Sequence, residues 1–179
     1  MKITIGVMGA SSAIEHATER LAEQAGRLIA QRGAVLITGA TKGYPLAAAR
    51  AATQAGGQVI GFSPAINPSE HRRLGLPSDY HEIIVYTGLS YKGRNLLNVR
   101  ASSALIFIGG SMGALNEFTI AYDEAKIIGI LEGTGGFCNH LREWLPSIQK
   151  PGNRSVIHYS PDPAALLDLI FHSIPFHQP

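Results

Sequence analysis

Cysteine, long apolar runs and clusters of like charge are scarce or absent in this sequence. The single cysteine, Cys138, cannot form an intrachain disulfide, and a metal site built from several cysteines is excluded. No run of about 18 apolar residues occurs, so the sequence predicts no membrane span and no membrane partner. The N-terminus shows no basic region followed by an apolar stretch and a cleavage site, and we therefore expect a cytoplasmic protein.

Charge is low and evenly scattered. Charged residues make up 16% of the 179 residues, and the formal net charge is +2 with neutral histidines. The longest basic patch is Arg72-Arg73. Because nucleic-acid binding needs a stronger basic cluster, we expect no nucleic-acid partner. The seven histidines show no ligand spacing, so the sequence predicts no metal site and gives no sign of a resident cofactor.

Continuous apolar runs alternate with helical patterns along the chain. The runs occupy residues 2–8, 35–38, 58–63, 81–86, 104–108, 127–131 and 155–159. Runs without polar alternation are typical of strands that are buried on both faces of a parallel sheet. We therefore predict one α/β domain over residues 1–179. Its core is a doubly wound, mostly parallel, Rossmann-like sheet of about seven strands with helices on both faces.

Local signals predict two helix starts and one long loop. Ser12 and Glu15 have the spacing of a capping box before the first helix. Ser160 and Pro161 predict the N-cap and the first position of the last helix. Residues 64–80 predict a long loop with one helical turn near its middle, and loops of this length often close over or bind ligands.

The most informative pattern is a glycine-rich turn between a strand and a helix, at residues 108–117. Glycines let the backbone approach a ligand closely, and the helix start offers unpaired N–H groups with a partial positive charge. The turn therefore predicts a phosphate site. The carboxylate of Glu117, one turn into the helix, is not needed for anion binding and suggests chemistry beside the phosphate.

Three further strand-ending loops, at residues 9–12, 39–44 and 87–94, should meet this turn at one edge of the sheet. Ligands of open parallel sheets bind at the carboxyl ends of the strands, where the strand order reverses. The predicted phosphate- and nucleotide-binding residues are Gly9, Ser11, Ser12, Gly39, Thr41, Gly109, Gly110, Ser111, Met112, Gly113 and Ala114.

Several common sites do not fit the sequence. The first turn, Gly6-Val-Met-Gly9, is not Gly-x-Gly-x-x-Gly, and Thr38 stands near the place where NAD- and FAD-binding enzymes put an acid. The lysine spacing around Lys42 is wrong for a P-loop. Cys138 and His140 are neighbours in sequence, but sequence adjacency does not make a catalytic pair.

For some polar and aromatic residues, the sequence supports two interpretations. Asn95 and Asn116 either line the pocket or cap backbone groups. Tyr44, Tyr91 and Tyr122 either stack on a base or belong to the core or to dimer contacts.

Residues 109–117 resemble the Pro-Gly-Gly-x-Gly-Thr-x-x-Glu motif of the LOG ("lonely guy") family. The segment that begins at Gly93-Arg94-Asn95 resembles the Arg-Lys segment of the same family, and the resemblance covers about residues 2–131. LOG proteins resemble a wider group of Rossmann-like nucleotide-binding proteins that includes the molybdenum-cofactor carrier. The chain departs from the motif at Ile108, at Ala114 and in one extra residue before Gly113.

The resemblance implies a phosphoribohydrolase, which cleaves the N-glycosidic bond of a nucleoside 5′-monophosphate. By motif, the catalytic pair falls on Arg94 and Glu117, where a carboxylate would stabilise an oxocarbenium-like sugar or position water. The altered glycine motif favours a second hypothesis, a non-catalytic carrier of a nucleotide or of a phosphorylated cofactor of the molybdenum-cofactor type. Either way we expect a phosphorylated small-molecule partner, and the resemblance also implies a homodimer.

Overall fold

The computed structural model describes residues 2–12 and 14–176, and its strands form a single parallel sheet. The strands are β1 (Thr4–Gly9), β2 (Val35–Thr38), β3 (Val59–Ser63), β4 (Ile83–Tyr86), β5 (Ala104–Ile108), β6 (Ile127–Leu131) and β7 (Val156–Ser160). Their order is β4-β3-β2-β1-β5-β6-β7, and every pairing is parallel. The predicted doubly wound α/β fold is confirmed, and the sheet is entirely rather than mostly parallel.

Helices cover both faces of the sheet, as predicted. The described helices are α1 (His16–Gln31), α2 (Tyr44–Gln54), α3 (Pro68–Arg73), α4 (Ser90–Arg100), α5 (Met112–Asp123), α6 (Leu141–Ile148) and α7 (Pro163–Ser173). Alternate residues of β5 enter two apolar clusters, one shared with α1, α2 and α7 and the other with α4, α5 and α6. Among the described helices, none is both long enough and apolar enough to cross a membrane.

The strand order reverses at β1, which lies between β2 and β5. The β1–β5 register pairs Gly9 with Ile108, so the carboxyl ends of these strands lie side by side. The connections that follow them leave on opposite faces of the sheet. This divergence opens a crevice at the switch point, where open parallel sheets bind their ligands.

Two predicted helix caps are wrong. Helix α1 begins at His16 with Glu15 as its N-cap and no side-chain capping bond. The Glu15 amide instead donates to the Tyr44 hydroxyl at 3.1 Å, so Ser12 does not cap the helix. Helix α7 begins at Pro163, and its N-cap is Asp162. The shift arises because β7 continues through the residue that was expected to be the cap.

Residues 64–80 form the predicted long loop with one short helix, and hydrogen bonds attach this loop to the sheet. Helix α3 lies within it, close to the predicted turn. His71 Nδ1 hydrogen-bonds with Ser63 Oγ at 2.8 Å, and His71 Nε2 hydrogen-bonds with the Pro77 carbonyl at 3.0 Å. His81 Nε2 similarly meets Thr38 Oγ1 at 2.8 Å. Hydroxyls at the ends of β2 and β3 therefore hold His81, just after this segment, and His71, near its middle.

The contact between α1 and α2 yields a stability prediction at Gly26. A Cβ at this position would lie 2.0 Å from the Ala48 carbonyl oxygen. In an open helix, Gly→Ala gains about 1 kcal/mol. Here we expect Gly26→Ala to lower the free energy of unfolding by about 1–3 kcal/mol, because the helices must separate. Urea unfolding of the parent and of Gly26→Ala measures this difference in the free energy of unfolding. Gly113→Ala, at a helical site with open space around the new Cβ, is the control and should be neutral or stabilising; equal stability of both variants would contradict the prediction.

Candidate functional site

A pocket of about 130 Å³ lies at the carboxyl ends of β1 and β5, where the predicted loops meet. The two residues that the resemblance places in a catalytic pair, Arg94 and Glu117, both line it. The predicted binding residues that line it are Gly9, Ser11, Gly39, Thr41, Ser111, Gly113 and Ala114. Tyr91 and Asn95, which had two sequence interpretations, also line the pocket. Met8, Pro45 and Lys92 were not predicted.

The structure places four predicted binding residues away from the pocket walls: Ser12, Gly109, Gly110 and Met112. The Met112 side chain is 73% exposed. The Gly109 amide donates to Thr134 Oγ1 at 2.7 Å, and the Phe137 amide donates to the Gly110 carbonyl at 3.2 Å. The glycine pair is therefore engaged by the loop after β6. Its positive φ angles of 58° and 102° shape the turn.

Cys138 belongs to this same contact. Its thiol donates to the Gly109 carbonyl at 2.8 Å, and burial raises its pKa to about 12. The sulfur is therefore a protonated structural donor at neutral pH rather than a nucleophile. In the described ranges, no three His, Cys, Asp or Glu side chains lie close enough together to hold a metal ion.

The first turn of α5 faces the pocket and can receive an anion. Ser111 is the N-cap and makes no side-chain capping bond. Gly113 and Ala114, in the first turn, line the pocket, and a Cβ at Gly113 would meet no atom within 4 Å. First-turn N–H groups have no partner within the helix and attract negative charge. Of the predicted turn, the helix start therefore lines the pocket and the Gly109-Gly110 pair does not.

Arg94 of α4 and Glu117 of α5 form a buried ion pair beside this helix start. Arg94 Nη1 lies 3.1 Å from Glu117 Oε1, and each side chain is 7% exposed. The guanidinium also lies against Gly39, where a Cβ would come within 2.3 Å of Nη2. Any larger residue at Gly39 would therefore displace Arg94. The tertiary structure brings together two residues that lie 23 positions apart in the chain.

Three asparagines surround the ion pair. Asn98 Nδ2 donates to Glu117 Oε1 at 2.6 Å. Arg94 Nη1 also donates to Asn95 Oδ1 at 2.7 Å, and Asn95 Nδ2 donates to Asn116 Oδ1 at 2.8 Å. Sequence reasoning missed Asn98. Its signal was the spacing of four residues from Arg94, which places both side chains on one face of α4.

Burial dominates the electrostatics of the pair. Burial raises the pKa of the Glu117 carboxyl, and Arg94, Asn98 and Lys92 act in the opposite direction. Burial likewise lowers the pKa of the Arg94 guanidinium, against the attraction of Glu117. Arginine nevertheless stays protonated in proteins. A buried carboxyl with a perturbed pKa, a specific charge partner and a place in a cleft is typical of a functional site.

The family is decided by comparison over nearly the whole chain. The model of the SLOG cluster4 family matches residues 2–165. The chain belongs to the SLOG cluster4 family. The LOG-like Rossmann group that the sequence resemblance predicted is therefore confirmed.

The SLOG cluster4 chain has relatives in archaea, bacteria and algae. An uncharacterized protein of Archaeoglobus fulgidus is 37% identical over 128 residues, covering 72% of this chain and 79% of the relative. The molybdenum cofactor binding protein of Rippkaea orientalis is 30% identical, with a TM-score of 0.80 over 97% of this chain and 98% of that one. The molybdenum cofactor carrier protein of Chlamydomonas reinhardtii is 27% identical, with a TM-score of 0.78 over 96% and 98% of the two chains.

Proposed function

We propose that the protein binds and carries a phosphorylated small molecule of the molybdenum-cofactor type in the pocket between β1 and β5. The observation that carries this proposal is the open first turn of α5, where Gly113 and Ala114 line the pocket together with Arg94. Helix-start amides and a guanidinium are the groups that bind phosphate best. The full-length likeness to the cofactor-binding proteins of R. orientalis and C. reinhardtii supports this choice of ligand.

The small volume of the pocket supports a protein that carries its ligand partly exposed rather than one that encloses the whole ligand. Its volume of about 130 Å³ is well below the ~300–1,000 Å³ of pockets that enclose a whole ligand. The pocket therefore accommodates the phosphate end, and the ring system would lie across the mouth near Tyr91 and Lys92. Tyr91 is 48% exposed and offers an aromatic face there. A cargo held by its phosphate, with its ring system outside, can be passed to another protein.

The Arg94–Glu117 pair favours a second function, hydrolysis of a nucleoside 5′-monophosphate. A buried carboxylate at the pocket wall is the group that would stabilise an oxocarbenium-like sugar. Ala114 weakens this candidate, because the LOG motif has a threonine there and its hydroxyl could bind the phosphate or the sugar. A charge-assisted hydrogen bond of that kind contributes about 1.5–3 kcal/mol.

One preparation tests both functions. The chain is purified from a host that makes molybdenum cofactor and is then heat-denatured, and the released pterin is oxidised to a fluorescent product and quantified. In parallel, the protein is incubated with a panel of nucleoside 5′-monophosphates, and free base is measured by chromatography. We expect intact pterin at close to one per chain and no free base.

The outcomes separate the two functions clearly. Free base without retained pterin would overturn carriage and establish the hydrolase, provided that Glu117→Gln abolishes base release. Neither pterin nor free base would overturn both. Retained pterin that disappears after purification from a host unable to make the cofactor would support carriage.

A further inference from the structure

Asn98 is the most deeply buried polar residue next to the ion pair. It lies on α4 with no solvent exposure, and its Nδ2 donates to Glu117 Oε1 at 2.6 Å. Its own Oδ1 is buried and has no hydrogen-bond partner among the described residues. Buried polar atoms without a partner are rare in native proteins and call for a functional or structural reason.

The orientation of this amide follows from the charge on Glu117. With the amide flipped, Oδ1 would replace Nδ2 at 2.6 Å from Oε1, and two acceptors would face each other. Only a donor satisfies an ionised carboxylate. Asn98 thus keeps the orientation that serves Glu117 and leaves its own oxygen unpaired.

Glu117 Oε1 accepts from two donors at once, Arg94 Nη1 and Asn98 Nδ2. Both donors point their hydrogens at this oxygen, so no proton can be placed on it without a clash. Glu117 Oε2 accepts from no described residue. The fully buried unpaired side-chain atoms in the described ranges are Arg94 Nε and Asn98 Oδ1. Oε2 is not one of these atoms, which agrees with its facing the pocket that Glu117 lines.

We infer that Asn98 is a positioning residue: together with Arg94 it holds Glu117 so that Oε2 alone faces the ligand. A single free acceptor selects a ligand that presents an N–H or O–H donor at that point. This selection rests on the proposed function, whereas the positioning of the carboxylate does not.

The hydrogen bond by which Asn98 positions Glu117 can be tested on the full chain without any ligand. Carbon-13 NMR follows the side-chain carboxyl of Glu117 through a pH titration of the parent and of Asn98→Leu. A hydrogen bond to the ionised form lowers the pKa of a carboxyl. Removal of the Asn98 donor should therefore raise the Glu117 midpoint, by about one pH unit.

Asn95→Leu is the matched control, because Asn95 lies on the same helix and bonds to Arg94 but not to Glu117. We expect it to move the midpoint much less. An unchanged midpoint in Asn98→Leu, or an equal shift in both variants, would overturn the inference. If the leucine variant does not fold, Asn98→Ser replaces it, since a serine hydroxyl is too short to reach Glu117 and should produce the same upward shift.

A phosphate-binding measurement distinguishes failure of this inference from failure of the proposed function. Inorganic phosphate is titrated into the parent and into Asn98→Ser across the same pH range. If the carboxyl midpoint rises and phosphate binds to neither protein, the positioning role stands and the phosphate site is overturned. If phosphate binds to both with the same pH profile while the carboxyl midpoint does not move, the positioning role is overturned and the site stands.

Discussion

Replacing Gly113 by aspartate is expected to lower the affinity for a phosphorylated ligand by about 100- to 1,000-fold. The site has room for the side chain, since a Cβ there meets no atom within 4 Å. The new carboxylate would stand among the first-turn amides that we propose to bind the phosphate. Two unit charges 4 Å apart repel by about 4 kcal/mol at an effective dielectric constant of about 20, and about 1.4 kcal/mol corresponds to a factor of ten in affinity.

Gly113→Asn is the matched control, because asparagine has the same shape as aspartate without its charge. It should lower affinity by about tenfold or less, through crowding alone. Calorimetric titration with inorganic phosphate, and the amount of pterin retained on purification, measure both variants. Equal losses for aspartate and asparagine would show that steric crowding, rather than an anion at the start of α5, explains the effect. Undiminished binding in Gly113→Asp would place the phosphate elsewhere.

Breaking the buried ion pair from one side is expected to cost about 3–5 kcal/mol of unfolding free energy, because the remaining charge is buried without its partner. Glu117→Leu leaves the Arg94 guanidinium buried without a charge partner, and Arg94→Met leaves the Glu117 carboxylate buried in the same way. The double variant buries no charge there. It should lose less stability than either single variant, because a well-packed apolar pair often replaces a buried ion pair at little cost, although Asn98 Nδ2 loses its acceptor. Urea unfolding of the four proteins forms a double-mutant cycle, and additive losses would contradict the pairing.

The pH dependence of the Arg94→Met variant has a definite sign. Burial already raises the pKa of Glu117, and Arg94 is the largest influence that opposes it. Without Arg94 the folded-state pKa rises further, so the folded protein binds the proton more tightly than the unfolded chain. The variant should therefore gain stability as the pH falls from the raised folded pKa toward the ordinary carboxyl value. The double variant has neither group and should not show this gain.

The double variant also separates stability from function. It should stay folded and yet retain little phosphorylated ligand, since Arg94 lines the pocket. Such a result would assign the ion pair to the site rather than to the stability of the fold.

The strands and their parallel arrangement were predictable from the sequence because a strand that is buried on both faces appears as an uninterrupted run of apolar residues. In β5, every residue from Ala104 to Ile108 is buried, and the sequence accordingly shows five apolar residues in succession. Helix starts were less predictable. Ser12 and Ser160 are both good capping residues, but β7 runs one residue further than expected and the Glu15 amide bonds to Tyr44 across the fold.

The role of the glycine motif was likewise predictable only in part. The sequence pointed to the turn between β5 and α5, and the pocket lies there. The sequence of the turn did not predict that Thr134 Oγ1 accepts a hydrogen bond from the Gly109 amide, because the loop after β6 is distant in sequence.

The sequence by itself determined the class of fold, the edge of the sheet where the pocket lies and the identity of Arg94 and Glu117 as candidates, because periodicity and motif spacing are local. Only the tertiary structure decided that these two side chains form one buried pair, that Asn98 completes it and that the Gly109 amide is already occupied. Hydrogen bonds and desolvation depend on atoms that are far apart in the chain and meet only when the sheet and its helices have packed.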